Sequence, residues 1–254
     1  MSSTDSSRFA DYNPRAANPL YHFIYGLRFS LAGWGLLFRN PALFALSLIP
    51  IALTLVMLGA LAGGVAWAVG RMFAGDPVLF GEPLRRAAQA IAFVAALFAG
   101  FLLYVPLARV LLAPFSEALS RKAHAVAYGI ALPDARLGWM RAMWEGAKLV
   151  ALQLVFAIIV LLLSLFVPVI GPIIGIIAGA VFCGMDYLDV PLSTHGLTMQ
   201  KKLGVLWRNK SLALGFGAAG YVLLLIPVIN LFSIPVGVLG ATLITGRLER
   251  ESRF

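Results

Sequence analysis

Long segments without charged residues dominate the pattern of hydrophobic and polar positions along this chain. Four of them contain no Asp, Glu, Lys or Arg, namely residues 40–70, 87–108, 149–185 and 211–246. A helix needs about 20 consecutive apolar residues to cross the hydrocarbon core of a bilayer. The first two segments therefore predict one membrane-spanning helix each, over about residues 42–70 and 87–112.

The third and fourth segments predict hairpins instead of single helices. Two full spans with a turn need more than about 42 residues, which neither segment has. Proline interrupts both, at Val167-Pro168-Val169 and at Ile226-Pro227-Val228, with a further proline at Pro235. Proline removes a backbone donor and clashes with the preceding turn, so helices end or kink there. We expect hairpins over about residues 149–188 and 211–248, with arms at 150–167, 172–188, 211–226 and 235–248, the shorter of which are too short for a full crossing.

The tips of these hairpins are candidates for a permeation route. Irregular backbone at membrane depth needs protein partners or a water-filled cavity, and transporters place binding sites at such breaks. The candidate residues are Pro168, Gly171, Pro227 and Asn230. A buried hairpin with a purely structural role is the alternative interpretation, and sequence physics alone favours neither.

Lysine and arginine are distributed unevenly between the apolar segments. If two spans and two hairpins alternate sides, one face collects 17 of the 20 bases and the other keeps only those of residues 71–86. Loops on the cytoplasmic side carry the excess of positive charge. We therefore predict a single membrane domain over residues 20–248 with cytoplasmic tails at residues 1–19 and 249–254. The first apolar run is too long for the core of a secretory signal, so none is evident.

The composition excludes an ordinary soluble enzyme. Of the 254 residues, 61% are hydrophobic and only 12% are charged, about half the charged fraction of a soluble domain. The net charge of +9 would suggest nucleic acid in a soluble protein. Because the bases lie between apolar runs, anionic lipid and membrane topology explain them better. The lipid bilayer is thus the expected partner, and nucleic acid is not expected.

Three segments are typical of helices that lie at the membrane surface, residues 20–38, 134–148 and 198–210. In the last of them Met199, Leu203 and Trp207 share one face, while Lys202 points elsewhere. Basic faces of this kind contact lipid headgroups. The alternative is that they gather anions at the mouth of a pore.

Small and acidic residues mark the first hairpin. Gly171, Gly175 and Gly179 recur every four residues, which makes a smooth ridge for close helix packing. Asp186 and Tyr187 end the charge-free segment. We expect Asp186 to have a structural role, either solvated or paired with Arg208 or Lys210, although carboxylates near membrane depth are often functional.

Candidate catalytic or metal-binding groups are sparse. The three histidines, His22, His124 and His195, lie on different segments without metal-ligand spacing, and there is one cysteine, Cys183. We therefore predict no metal site. No nucleophile elbow, nucleotide-binding loop or dinucleotide fingerprint occurs, so neither an enzyme nor a bound cofactor is expected.

An ordered set of short motifs runs through about residues 20–248. Its members are Gly26, Leu36-Leu37, Asn40-Pro41, Ile49-Pro50, Ala113-Pro114-Phe115, Asp186-Tyr187, Asn209, Gly215, Ile226-Pro227, Asn230-Leu231, Pro235 and Gly240-Ala241-Thr242. With these motifs the chain resembles the CysZ-type sulfate permease family and its broader etoposide-induced-protein relatives.

The resemblance implies a bacterial inner-membrane protein with two long transmembrane helices and two hairpins that enter the membrane only partway. It also implies an oligomer that moves sulfate inward for cysteine synthesis without an ATP-hydrolysing part. Sulfate permeases of this family carry an arginine pair a few residues after the proline that precedes the first span. Phe44 and Ala45 occupy those positions here. The remaining candidates for binding an anion are Arg39, Asn40, Arg121 and Lys122.

The leading hypothesis is therefore an all-α membrane permease or channel for a small inorganic anion, with sulfate first. A membrane protein that shapes lipid or scaffolds partners, without transport, is the alternative. An intramembrane enzyme would be a third, but it lacks a catalytic constellation in this sequence.

Overall fold

The computed structural model describes residues 11–72, 82–132, 139–166 and 170–251. These residues form helices joined by turns, and no strand occurs among them. The helices are α1 (Pro19–Arg39), α2 (Pro41–Met72), α3 (Glu82–Tyr128), α4 (Trp139–Phe166), α5 (Ile170–Thr194), α6 (Met199–Arg208), α7 (Lys210–Leu224) and α8 (Pro227–Arg250). The all-α membrane class predicted from the apolar segments is confirmed.

Local signals explain where the first helices begin and end. The side chain of Asn18 accepts a hydrogen bond from the backbone of Leu20 at 2.9 Å and so caps α1, with Pro19 at the first helical position. Asn40 ends α1, because its side-chain amide donates to the carbonyl of Leu36 at 2.8 Å. Its own carbonyl accepts from Leu43 at 2.9 Å and thereby opens α2. One asparagine thus closes one helix and starts the next.

The helices group into two compact units, one formed by residues 1–48 and 114–254 and the other by Ile49–Ala113. In the larger unit α1 packs against α7 and α8, and α5 packs against α4, α7 and α8. Phe29, Phe216 and Leu239 are completely buried in its core. The hydroxyl groups of Ser120 on α3 and Thr242 on α8 form a hydrogen bond of 3.0 Å in this core.

The smaller unit contains most of α2 and the first part of α3. A side chain at Gly100 on α3 would lie 2.5 Å from Cδ1 of Leu61 on α2, so the two helices are in close contact there. Large apolar side chains such as Val56, Trp67 and Ile91 are exposed. Exposed apolar surface of this extent is what a bilayer would cover.

Within the part of the chain that the structure describes, three helices are long and apolar enough to cross a membrane, namely Pro41–Met72, Trp144–Ser164 and Ile173–Thr194. The first is the span predicted at about residues 42–70. A shorter apolar helical segment of α3, Arg86–Phe98, overlaps the second predicted span, and a full crossing there stays a prediction. α7 has 15 residues, which is about 22 Å of helix and short for a crossing.

The arms of the hairpins differ from their predicted lengths. α4 has 28 residues and α5 has 25, because both helices continue through charged residues that the charge-free segments left out. α8 begins at Pro227 and runs through Pro235, so the second arm starts eight residues earlier than expected. Proline suits the first helical position, and packed membrane helices tolerate an internal one. How deeply the hairpins enter the bilayer stays a prediction.

Glycines bring α5 and α7 into backbone contact. A Cβ atom on Gly184 would lie 2.6 Å from the carbonyl oxygen of Ala213, and one on Gly217 would lie 2.9 Å from Cα of Gly184. The predicted ridge on α5 faces two helices in turn. Gly175 faces Val160 of α4, and a Cβ on Gly179 would overlap the ring of Tyr221 on α7. Gly171, the first of the ridge, lies against Ser164 of α4.

Candidate functional site

A cluster of charged side chains joins α3, α4, α5 and α6 in the larger unit. We call it the charged cluster; its members are Glu117, Arg121, Glu145, Asp189 and Lys202. Lys202 is only 3% exposed. Its ammonium group donates to Asp189 Oδ1 at 2.7 Å and to Ser193 Oγ at 2.5 Å. The spacing of four residues along α5 puts both acceptors on one helix face, and a buried cation needs such partners.

Glu117 and Arg121 form a second pair on α3. Their side chains are one helical turn apart and approach to 3.7 Å. Burial raises the pKa of Glu117, while the positive charges of Arg121 and Lys202 act against this rise. The charge of Lys202 therefore affects the pKa of Glu117, so the Lys202–Asp189 and Arg121–Glu117 ion pairs are electrostatically coupled. A carboxyl group in this position holds its proton to a higher pH than an ordinary glutamate does.

Glu145 connects α4 to the first residue of α6. Its Oε2 atom accepts the backbone N–H of Met199 at 2.9 Å, and its Oε1 atom accepts from Lys148 at 2.7 Å. Thr198, which precedes α6, makes no side-chain capping bond. The buried carboxylate of Glu145 therefore caps α6 from another helix, where the helix dipole favours a negative charge.

Replacing Glu145 by alanine should destabilise the protein by about 1–2 kcal/mol, because α6 loses both its cap and its anion. Thermal unfolding in detergent measures the change. Lys148→Met is the matched control: the Lys148 side chain is 46% exposed, so losing its ion pair should cost less than about 0.5 kcal/mol. Equal effects of both substitutions would contradict the capping role.

The structure places the four predicted anion-binding residues on two elements. Arg121 lies in the charged cluster, and Lys122 is exposed on the same helix. Arg39 is the exposed last residue of α1, while Asn40 is engaged in capping α1 and opening α2. Their role in binding an anion stays a prediction.

The other predicted residues lie at helix ends and interfaces. Asp186 accepts a hydrogen bond from the Gln153 amide of α4 at 2.7 Å, where the sequence suggested Arg208 or Lys210. Tyr187 is buried against Gly237 of α8. The hairpin-tip candidates Pro227 and Asn230 lie in the first turn of α8, and Asn230 is exposed. Gly171 lies in the first turn of α5, whereas Pro168 is outside the described residues, as is the start of the predicted surface helix at residues 134–148.

Sequence reasoning missed the inward orientation of Lys202. It placed Lys202 on the polar, outward face of α6, but Met199, Lys202 and Val205 are the buried residues of this helix. Trp207, from the predicted apolar face, is 76% exposed. The available signal was the Asp189 and Ser193 pair on α5, which offers a lysine two acceptors.

A family model described as "Sulfate transporter CysZ/Etoposide-induced protein 2.4" matches residues 30–235. The chain is 31% identical over 160 residues to "Sulfate transporter CysZ" of Pseudomonas aeruginosa, covering 59% of this chain and 65% of that protein. It is 34% identical over 152 residues to the protein of the same name in Pseudomonas syringae pv. tomato, covering 56% of this chain and 60% of the relative.

The matches to the Pseudomonas relatives thus span less than two thirds of the relatives' length. A third relative, "Sulfate transporter CysZ" of Pectobacterium atrosepticum, is 26% identical over 260 residues, covering 94% of this chain and 93% of that protein. The family match covers more than half of the chain and includes α2 to α7 entirely. The chain therefore belongs to the sulfate transporter CysZ/etoposide-induced protein 2.4 family, and it is a helical membrane protein.

Proposed function

We propose that this protein lets a small inorganic anion, sulfate first, cross the bacterial inner membrane toward cysteine synthesis. The observation that carries the proposal is the match to a named sulfate transporter over 94% of the chain. The membrane domain extends over residues 20–248, with both termini cytoplasmic and with the protein assembled as a homo-oligomer. Its working partners are the lipid bilayer and the anion, and the protein is not an enzyme.

One member of the charged cluster, Arg121, supports this proposal because a dianion needs positive partners. Phe44 and Ala45 stand where the resemblance leads us to expect an arginine pair, and Phe44 packs against the hydrophobic core. Arg121 is a guanidinium group held beside a carboxyl group whose pKa burial raises. A guanidinium group binds the oxygen atoms of an anion such as sulfate by charge-assisted hydrogen bonds.

Sulfate uptake into proteoliposomes that hold the purified protein tests the proposal, with chloride and phosphate as competing anions. We expect sulfate flux that chloride does not suppress. Arg121→Glu should lower it by about tenfold or more, because a charge-assisted contact is worth about 1.5–3 kcal/mol. Arg39→Glu tests the other predicted position in the same assay. Lys201→Glu, at an exposed position on α6, is the matched control and should leave the flux unchanged.

Two outcomes would contradict the proposal in different ways. Full flux in folded Arg121→Glu would remove the charged cluster from the route and leave transport standing. No flux of any anion through folded, inserted wild-type protein would overturn transport itself. In that case the bilayer-shaping alternative would lead, and the short α7 would be the element to test by vesicle remodelling.

A further inference from the structure

Two histidines and a glutamate that are distant in sequence meet at one end of the larger unit. His124 lies near the end of α3, His195 directly follows α5, and Glu249 is in the last turn of α8. The Nε2 atoms of both histidines lie 3.3 Å from Oε2 of Glu249. The three ligand atoms are all within 4.8 Å of one another. The sequence pattern predicts no metal site, since no two histidines have metal-ligand spacing along the chain, but the fold brings the rings of His124 and His195 together.

Hydrogen bonds of the imidazole rings define which nitrogen carries the proton. Nδ1 of His124 is 3.0 Å from the carbonyl oxygen of Ile130, and Nδ1 of His195 is 2.6 Å from that of Pro191. A carbonyl oxygen only accepts, so both Nδ1 atoms must be the donors. In a neutral ring Nε2 then directs its lone pair toward Glu249. This is the tautomer of a metal-binding histidine, with its second nitrogen held by a backbone carbonyl.

The arrangement needs a positive centre between the three groups. His124 is 1% exposed, and its Nε2 atom is buried without a hydrogen-bond partner among the described residues. His195 Nε2 is within hydrogen-bond distance of Glu249 Oε2 at 3.3 Å, and two lone pairs that face a carboxylate oxygen repel it unless a metal ion or a proton lies between them. The ends of α3, α5 and α8 converge here, and the dipoles of helix carboxyl ends favour a cation.

The separations match those of a tetrahedral zinc site. With ligand bonds of about 2.0–2.1 Å, two ligand atoms of tetrahedral zinc are about 3.3–3.4 Å apart. Both Nε2 atoms lie 3.3 Å from Oε2 of Glu249. Neutral imidazole nitrogen and carboxylate oxygen are the ligands of a three-residue zinc site whose fourth position holds water.

Two glycines in left-handed conformation allow the chain to turn beside the two histidines of this site. Gly129 has φ 73° and ends α3, so that the chain turns back and brings the Ile130 carbonyl to His124. Gly196 has φ 75° and ends α5 directly after His195. The nearby arginines are engaged by backbone carbonyls, Arg247 with Tyr12 at 3.0 Å and Arg250 with Tyr128 at 3.2 Å.

We propose that His124, His195 and Glu249 bind one divalent zinc-class cation that joins the ends of α3, α5 and α8. The ion replaces electrostatic repulsion between the three side chains by three coordinate bonds. It thereby fixes the last turns of three helices that contribute to the core of the larger unit. The site is independent of anion transport, so its test does not depend on the proposed function.

The test uses the full-length protein in detergent after treatment with a chelator. Titration with Co²⁺, which substitutes for Zn²⁺, should produce the visible absorption of a tetrahedral site with one ion per chain. Zn²⁺ at about a hundredfold excess over its dissociation constant should raise the unfolding temperature by about 5–10 °C. Mg²⁺ should not, because it requires octahedral oxygen ligands.

Glu249→Gln and His195→Gln should each weaken Co²⁺ binding by about a hundredfold or more, since loss of a supporting contact alone costs about 10–100-fold. The side chain of Glu249 is 42% exposed, so Glu249→Gln carries little risk to folding. His22→Gln is the matched control. Both ring nitrogens of His22 have partners, Tyr12 at 3.0 Å and the Ala16 carbonyl at 2.7 Å, and this variant should bind Co²⁺ like the wild type.

Absence of both the cobalt absorption and the zinc-specific rise in unfolding temperature, in folded wild-type protein, would overturn the proposal. So would equal losses in His22→Gln and His195→Gln, because the metal would then be bound elsewhere. If a proton and not a metal ion holds His124, His195 and Glu249 together, neither the cobalt absorption nor the zinc-specific rise in unfolding temperature will be seen.

Discussion

Adding one methyl group at Gly26 should destabilise this protein by about 3 kcal/mol or more, at the upper end of what overpacking usually costs. A Cβ atom there would lie 2.6 Å from the backbone nitrogen of Phe216 and still closer to the carbonyl oxygen of Leu212. Both are backbone atoms of α7, so no side chain can rotate away. α1 and α7 would have to separate, and Phe29 and Phe216 of the core would lose packing.

The unfolding temperature of Gly26→Ala in detergent should fall by about 6–12 °C. Gly35→Ala is the matched control on the same helix, since nothing lies within 4 Å of its added methyl group. Alanine also favours helix over glycine by about 1 kcal/mol, so this control should unfold at the same temperature or higher. Similar unfolding temperatures for both variants would contradict the close contact between α1 and α7.

Lys202→Met should destabilise the protein by about 3 kcal/mol. The methionine fills the same space, but Asp189 and Ser193 lose the ammonium group that pairs with them. Removing one partner of a buried ion pair costs about 3–5 kcal/mol because the other charge stays uncompensated. Since the Asp189 side chain is 24% exposed, the lower end of this range applies.

Combining Lys202→Met with Asp189→Asn should recover more than half of the loss. Replacing both partners of a buried ion pair removes the uncompensated charge together with the attraction. Chemical or thermal unfolding of the two single variants and the double variant completes the cycle. Lys201→Met, next in sequence and exposed, should change stability by less than about 0.5 kcal/mol. Additive losses in the double variant would mean that the two residues are not coupled.

The positions of the helices can be predicted largely from the segments of the sequence that lack charged residues, because a charged side chain is costly across the known thickness of the bilayer core. α2 extends over Pro41–Met72, as its charge-free segment predicts. The same rule predicts α4 and α5 to be shorter than they are. Charged residues such as Glu145 and Asp189 have partners inside the protein and therefore do not end a helix. The polarity of the sequence predicts which segments lie in the bilayer, but it does not predict which side chains pair between helices.

The candidate sites depended on contacts that no local pattern contains. An amphipathic helix in a soluble protein buries its apolar face, but at a membrane lipid can cover that face instead. The pattern of α6 therefore left open whether Lys202 points inward. His124 and His195 are 71 positions apart, and only the packing of α3, α5 and α8 brings their rings to a centroid distance of 5.6 Å.

The glycine contact between α5 and α7 has a consequence for how these helices stay together. At Gly184 only a hydrogen atom stands where a side chain would meet the carbonyl oxygen of Ala213. Contacts between a Cα–H group and a carbonyl oxygen recur at helix–helix interfaces and are worth about 0.5–1 kcal/mol each in a condensed phase. Such a contact uses only main-chain atoms and loses nothing to competing water inside a bilayer. Enlarging Gly184 or Gly217 should therefore separate these two helices, whereas a change of an exposed side chain elsewhere on α5 or α7 leaves this contact intact.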